Sequence, residues 1–134
     1  MANTYVEKLL ETVLSKETGR AGMAVDVLTK WLHEPRAFVP LTMLLEQDCD
    51  PYPLVIGARG LGWLGDAKAI PALAKLVLND SQPYVARVAA AEALGRIGGE
   101  ESVQALDQAV QSPRPSVAEA ALESLREIKQ EIKS

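Results

Sequence analysis

Apolar residues recur every three or four positions along most of the chain, which is the spacing of helices that bury one face. In residues 67–78, for example, the predicted buried stripe consists of Ile70, Leu73, Leu76 and Val77. No stretch alternates cleanly between apolar and polar residues, as a half-buried strand would. The pattern therefore predicts an all-α protein with about eight helices, because turn residues interrupt the apolar stripes at regular intervals.

The helical pattern is itself repeated. Residues 94–98, LGRIG, match residues 61–65, LGWLG, at a distance of 33 positions, and both runs end in a glycine that can stop a helix. Each unit is therefore predicted to contain a helix A, a tight glycine turn and a helix B. Proline marks the joints between units, which are Asp50-Pro51-Tyr52, Gln82-Pro83-Tyr84 and Arg114-Pro115-Ser116.

These units divide a single domain, residues 1–134, into stacked parts. The predicted parts are an N-terminal helix in 1–19, repeats at 20–51, 52–83 and 84–115, and a lone C-terminal helix A in 116–134. Alanines at 89–91 and Ala93 keep the third helix A thin, so that neighbouring helices can approach closely. Gly65 suits the left-handed position after a helix, and Asp66 can cap the next one.

The segments VARVAAAEALGRIGGEESVQAL and GARGLGWLGDAKAIPALAKLV resemble HEAT repeats, specifically the short bacterial type called phycobilisome-lyase HEAT-like repeats. The resemblance is strong over residues 52–128 and weaker over residues 20–50. It implies an α-α superhelix, a right-handed HEAT-like solenoid of about three and a half repeats, with helices B on the concave side. It implies no single activity, because one fold serves many unrelated functions.

Three kinds of HEAT-like protein carry chemistry that can be checked residue by residue. The resemblance to deoxyhypusine hydroxylases implies a His-Glu pair in helix A that holds two irons, but the matching residues are Val55-Ile56 and Val88-Ala89. The resemblance to HEAT-like DNA glycosylases implies a basic concave face that binds phosphates. Here the residues predicted on the concave face include two lysines, Lys68 and Lys75, and the acidic Glu101. Phycobilin lyase subunits and phycobilisome-degradation factors remain an alternative.

Charge and composition narrow the function further. The net charge is −4 with no basic block, so no nucleic-acid partner is expected. No apolar run approaches the roughly 20 residues of a membrane span, and Glu7 and Glu11 interrupt the N-terminal apolar pattern, unlike a secretory signal. A single cysteine, Cys49, permits no internal disulfide and favours a cytoplasmic protein.

Candidate catalytic residues are isolated from one another. His33 and Glu34 form a pair in the turn WLHEPR, but the chain has one histidine, and a metal or acid–base site needs partners. Cys49 lies between Asp48 and Asp50, whose negative charges oppose the thiolate that a nucleophile needs. We therefore expect no catalytic residues, no metal, no cofactor and no enzyme activity.

The expected function is a non-enzymatic protein-binding or scaffold module, either a monomer or a weak homodimer, with a protein partner. The alternatives are an accessory subunit of a phycobilin lyase-like or other tetrapyrrole-protein system, and a regulatory subunit in an enzyme complex. Solenoids bind partners on their concave face. Counting along helices B places the following residues there: Leu41, Leu44, Lys68, Ala72, Lys75, Glu101, Gln104 and Gln108. The alternative for Leu41 and Leu44 is that the N-terminal helix covers them.

The two tryptophans occupy different repeat positions. Trp31 aligns with Leu64, Ile97 and Ile128 of the later units and is therefore expected in the core. Trp63 aligns with Lys30, Arg96 and Glu127, and charged side chains are rarely buried. We therefore expect Trp63 to be partly exposed and to bind a partner, the alternative being an indole half-covered by Pro35 or the glycine turn.

Overall fold

The computed structural model describes residues 4–15, 17–47 and 50–133, and within these ranges it contains eight α-helices and no strand. The helices are α1 (Thr4–Val13), α2 (Thr18–Asp26), α3 (Phe38–Leu44), α4 (Pro51–Leu64), α5 (Ile70–Val77), α6 (Tyr84–Ile97), α7 (Glu100–Ala109) and α8 (Pro115–Lys133). A π-helical turn, Val27–Trp31, continues α2, and 3-10 turns at Pro35–Ala37 and Ala67–Ala69 lead into α3 and α5. The all-α prediction is confirmed.

The helices form two layers. Helices α2, α4, α6 and α8 are the A layer, in which α4 packs on α6 and α6 on α8. Helices α3, α5 and α7 are the B layer, and each packs against the helix A that follows it. The N-terminal helix α1 packs against α2 and α3 and therefore occupies a helix B position, one unit before the first repeat.

Small residues set the distance between neighbouring A helices. A Cβ added to Gly62 on α4 would lie 2.8 Å from the Cα of Ala93 on α6, and one on Gly95 would lie 2.8 Å from the Cβ of Ser124 on α8. Ala90 on α6 has no exposed surface. The prediction that small residues allow close packing is confirmed, because any larger side chain at these contacts would push the helices apart.

The helix ends also follow the sequence signals. Gly65 adopts the left-handed conformation with φ of 74°, and Gly98 and Gly99 also have positive φ values. The Oδ1 of Asp66 accepts a hydrogen bond from the amide of Lys68 at 2.9 Å, which caps the turn into α5. These stops fold each helix B back against its helix A.

A buried arginine joins the second and third units. Arg87 on α6 donates from Nε to the carbonyl oxygen of Val77 at 3.0 Å and from Nη2 to Ser112 Oγ at 3.3 Å. The same Nη2 lies 3.1 Å from Asp80 Oδ1. A buried charge is tolerated when it is paired and hydrogen-bonded, so Arg87 holds two successive joints together.

The expected exposure of Leu41 and Leu44 is wrong, because both side chains are buried. Leu41 packs on α4 where glycine leaves room: a Cβ on Gly60 would lie 2.8 Å from Leu41 Cδ2, and one on Gly57 would lie 3.0 Å from Leu44 Cβ. Helix α4 therefore covers both leucines, and they belong to the core.

The expected burial of Trp31 is also wrong, since 77% of this residue is exposed. The π-helical turn is the physical reason: the amide of Leu32 donates to the carbonyl oxygen of Val27, five residues back, at 3.0 Å. A π turn is wider than an α turn and rotates the residues after it. Trp31 therefore points away from the core.

The close contact at Gly62 gives a stability prediction. Replacing Gly62 by alanine places a Cβ against the backbone of α6, and we expect overpacking to lower the unfolding free energy by about 1–3 kcal/mol. The control is Gly19→Ala on α2, where nothing lies within 4 Å of the added Cβ. Urea denaturation followed by circular dichroism measures both, and equal stabilities would contradict the packing.

Candidate functional site

An opening on the B layer lies between α3 and α5 and has a volume of about 610 Å³. We call it the B-helix groove, and its lining residues are Thr42, Leu45, Glu46, Ala72, Lys75, Leu76, Asn79 and Gln82. Val39 and Met43 lie beside Thr42 on the same helix and are 62% and 42% exposed. Two large apolar side chains on a seven-residue helix are therefore open to solvent.

Local structure places these side chains at the surface. The 3-10 turn Pro35–Ala37 leads into α3, and Leu41 and Leu44 then anchor one side of that helix against α4. Because residues three or four apart share a face, Val39, Thr42 and Met43 are left on the other side. Val39 and Met43, and not Leu41 and Leu44, are therefore the exposed apolar side chains of α3.

Helix α5 supplies positive charge to the groove. Lys75 lines the B-helix groove, and Lys68 is exposed in the 3-10 turn Ala67–Ala69 that leads into α5. Among the described residues, neither lysine side chain has an ion-pair partner within 4 Å. Ala72, between them, is half-buried. These two charges are thus available to a carboxylate brought by a ligand.

Helix α7 continues the layer with acidic and amide side chains. Glu101, Gln104 and Gln108 are exposed, as expected. Together with α3 and α5, they make the B layer change from apolar to basic to acidic along the stack. The apolar part is formed by Val39 and Met43.

Trp63 lies on the A layer, stacked between two cations. The Nζ of Lys30 is 4.7 Å from the indole ring centroid, and the Cζ of Arg96 is 4.2 Å from it. Both cations come from the repeat position that Trp63 itself occupies, one unit before and one unit after. The indole is half-buried as a result. Lys30 and Arg96 account for the partial burial of the indole, so the alternative of a cover by Pro35 or the glycine turn is not needed.

The charged residues at this repeat position are visible in the sequence, and their 33-residue spacing from Trp63 is the signal that could have predicted the contact. Successive A helices bring equivalent residues next to each other, so an aromatic side chain between two cations forms a cation–π stack. Asp26 and Arg59, 33 residues apart, show the same rule: Arg59 Nη2 lies 2.9 Å from Asp26 Oδ1. The outer side of the A layer therefore carries ladders of equivalent residues.

Among the described residues, His33 and Glu34 do not belong to a larger cluster of metal-binding side chains. His33 is exposed and has a positive φ of 47°, which places it in a left-handed turn. Glu34 accepts hydrogen bonds from the Arg36 side chain and amide, which hold the pKa of the Glu34 carboxyl below its usual value. Cys49 and Asp48 lie outside the described residues.

In residues 4–15, 17–47 and 50–133, no three histidine, cysteine or acidic side chains come together as metal ligands would. Across the same part of the chain, no helix has both the length and the apolar character that a membrane crossing requires.

A family model for HEAT repeats matches residues 38–126. The chain belongs to the HEAT-repeat family. No curated protein matches it. Among solved structures, it is similar to human deoxyhypusine hydroxylase in complex with glycerol, with a TM-score of 0.77 and 23% sequence identity. The match covers 93% of this chain and 43% of that one, so this HEAT-repeat chain spans less than half the length of the hydroxylase.

The likeness confirms the α-solenoid fold but corrects the functional expectation. A non-enzymatic scaffold, and the absence of enzyme activity, were wrong inferences, because a solved structure that shares this fold, that of human deoxyhypusine hydroxylase, is an enzyme. The tetrapyrrole-related alternative is not better supported. The expectation rested on the isolation of His33, Glu34 and Cys49 in the sequence, and isolated side chains in one chain do not exclude that the chain belongs to an enzyme.

The iron site that the resemblance to hydroxylases implies does not fit the residues present. Ile56 and Ala89 are buried in the core, and Val55 and Val88 pack partly against it. Aliphatic side chains carry no atom that can bind a metal ion. These positions contribute to helix packing in this chain.

The cation–indole stack gives a second prediction. In a Trp31→Phe background, in which Trp63 is the remaining tryptophan, Arg96→Gln removes one covering cation. We expect easier acrylamide quenching of Trp63 and a loss of about 0.5–1 kcal/mol of stability. Arg126→Gln is the matched control, because Arg126 is exposed and pairs with Glu123 on its own helix. Identical quenching in the two variants would argue against the stack.

Proposed function

We propose that this HEAT-repeat chain is the protein-recognition part of an enzyme, and that it binds a segment of a protein in the B-helix groove. One observation carries the proposal: the groove joins Thr42 and Leu45 of α3 to Lys75, a cation without an ion-pair partner among the described residues. The same helix α3 also exposes Val39 and Met43. Exposed apolar side chains beside an available charge are typical of a recognition surface.

The chemistry of the groove defines the ligand. Leu45 and Leu76 line the groove and favour an apolar side chain. Val39 and Met43 are exposed on α3, the helix that carries Leu45, and methionine adapts its shape to different partners. Lys75 favours a carboxylate, and Asn79 offers a side-chain amide to the backbone of a bound segment. A volume of about 610 Å³ lies in the range of pockets that hold a few side chains. The proposed ligand is therefore a short protein segment with an apolar and an acidic residue.

The enzyme context rests on the shared fold. Human deoxyhypusine hydroxylase uses a helical repeat architecture similar to this one over 93% of the present chain. A chain of less than half that length can serve as one part of an enzyme. In that role the B-helix groove would hold the protein on which the enzyme acts, or a protein that regulates it.

Two finer assignments belong to the same proposal. The segments with paired glycines, such as LGRIG, support placing the repeats in the short bacterial type of HEAT repeat. The single cysteine supports a cytoplasmic location.

Peptide selection tests the groove. A random peptide library is selected against the protein, and the affinities of the recovered peptides are measured by fluorescence anisotropy. We expect peptides that combine an apolar with an acidic residue, and we expect Lys75→Glu to weaken their binding about tenfold, which corresponds to roughly 1.4 kcal/mol. Lys129→Glu on α8 is the matched control, because Lys129 is exposed on the A layer. Peptides that respond equally to both variants would refute the groove as the binding site.

The enzyme context needs a separate measurement. A photo-crosslinking amino acid at Val39 captures the bound protein in a native lysate, and mass spectrometry identifies the captured segment. We expect that segment to carry a covalent modification introduced by the enzyme, or the captured protein to be a subunit of an enzyme. A captured protein that meets neither condition would refute the enzyme part while leaving the peptide result intact.

A further inference from the structure

The loop between α7 and α8 brings a serine to a buried charge. Ser112 Oγ accepts a hydrogen bond from the Arg114 amide at 3.2 Å and another from Arg87 Nη2 at 3.3 Å. Arg87 is buried, whereas Ser112 is half-buried and its neighbours Gln111 and Pro113 are exposed. The serine therefore lies where a solvent-exposed loop meets a guanidinium inside the protein.

The Arg87 charge has only modest anionic partners. Its hydrogen bond to Ser112 is longer than the usual N–H···O range of about 2.7–3.2 Å, and the hydroxyl carries no charge. Among the described residues, Asp80 is its one acidic partner within 4 Å, and the Asp80 side chain is 75% exposed. An exposed carboxylate contributes little to an ion pair because water screens it. A more strongly charged acceptor would therefore bind Arg87 better than either group does now.

The repeat has an acidic residue at this position in its earlier joints. Asp48, Asp80 and Ser112 each lie three residues before a joint proline, at intervals of 32 residues in the sequence. Asp80 brings a negative charge to Arg87 Nη2, whereas Ser112, which contacts the same nitrogen, brings none. A negative charge on Ser112 would give the last joint what the two earlier joints have at this position.

A second arginine and a helix end add positive charge beside Ser112. The Arg114 guanidinium lies 4.2 Å from the Tyr84 ring centroid, and the described residues give it no acidic partner within 4 Å. Helix α8 begins at Pro115, and the N-terminus of a helix favours negative charge. The neutral hydroxyl thus lies in surroundings that suit an anion.

We propose that Ser112 is a phosphorylation site and that its phosphate binds Arg87 and Arg114. A phosphoserine carries about −1.5 to −2 charges at pH 7 and three strong acceptor oxygens, so it can accept hydrogen bonds from two guanidinium groups at once. The phosphate replaces exposed Asp80 as the main anion of Arg87. Because Ser112 precedes Pro113, its backbone favours an extended form, which a modifying enzyme can bind as a strand.

The reaction transfers a phosphoryl group from a nucleoside triphosphate bound to a separate protein kinase. Ser112 Oγ attacks the γ-phosphorus and forms an O–P bond, while the bond from that phosphorus to the β,γ-bridging oxygen breaks. The hydroxyl proton passes to a carboxylate of the kinase, and the nucleoside diphosphate leaves. Ser112 must leave Arg87 for this transfer, and the long contact that it breaks is a weak one.

Phosphorus NMR of Ser112→phosphoserine, introduced with an expanded genetic code, tests the geometry. We expect the second pKa of this phosphate to fall below the usual value of about 6, because nearby guanidinium groups stabilise the dianion. The matched control is Ser81→phosphoserine, since Ser81 is exposed in the preceding joint. Arg114→Gln should raise the phosphate pKa at position 112 and leave that at position 81 unchanged. Equal pKa values at the two positions would overturn the proposal.

Mass spectrometry of the protein purified from its native cells tests whether the modification occurs. We expect a phosphopeptide that alkaline phosphatase removes, with fragment ions that place the phosphate on Ser112 and not on nearby Ser116. Absence of phosphate from Ser112 in both growing and starved cells would overturn the proposal, whatever the NMR titration shows about the site.

Discussion

The close approach of neighbouring A helices is the constraint on which the rest of this structure depends. At Gly62 and Gly95 the helices touch with no room for a Cβ, so the A layer has a fixed and short spacing. That spacing brings equivalent residues of successive units into contact, which is why Trp63 lies between Lys30 and Arg96. It also aligns the B helices, between which the groove opens.

The same constraint explains why the two ends of the stack differ. A surface shaped to receive a helix at close range must either receive one or become polar. Helix α8 follows the second route, with Arg126 in the place of the interior glycines. Helix α2 keeps Met23 and Trp31 exposed. The equivalent residues of the next two units, Ile56 and Ala89 for Met23 and Leu64 and Ile97 for Trp31, are buried or half-buried.

Most of the fold could be predicted because its signals are local. Glycine at a helix end, aspartate at a cap and the 33-residue period each act through neighbouring residues, and the structure places Gly65 and Asp66 as expected. The predictions that were wrong concern residues whose positions depend on distant contacts or on an irregular turn. A π turn rotated Trp31 outward, and glycines on α4, a different helix, drew Leu41 into the core. The Arg87 contacts join residues that are 10 and 25 positions away, which no periodicity indicates.

The candidate site was predictable to a smaller degree, and packing explains the difference. Lys75 and Gln104 are exposed, as predicted, because exposed polar residues on a helix follow the helical period. The apolar part of the groove was assigned to the wrong side of α3, since a short helix carries leucine, valine and methionine on both sides and the sequence alone does not decide which side faces α4. Once Gly57 and Gly60 admit Leu44 and Leu41, Val39 and Met43 have no partner in the chain's own core. The tight fit of α3 against α4 thus leaves the apolar side chains of Val39 and Met43 open on the B layer, and the proposed recognition surface is a consequence of how the core is filled.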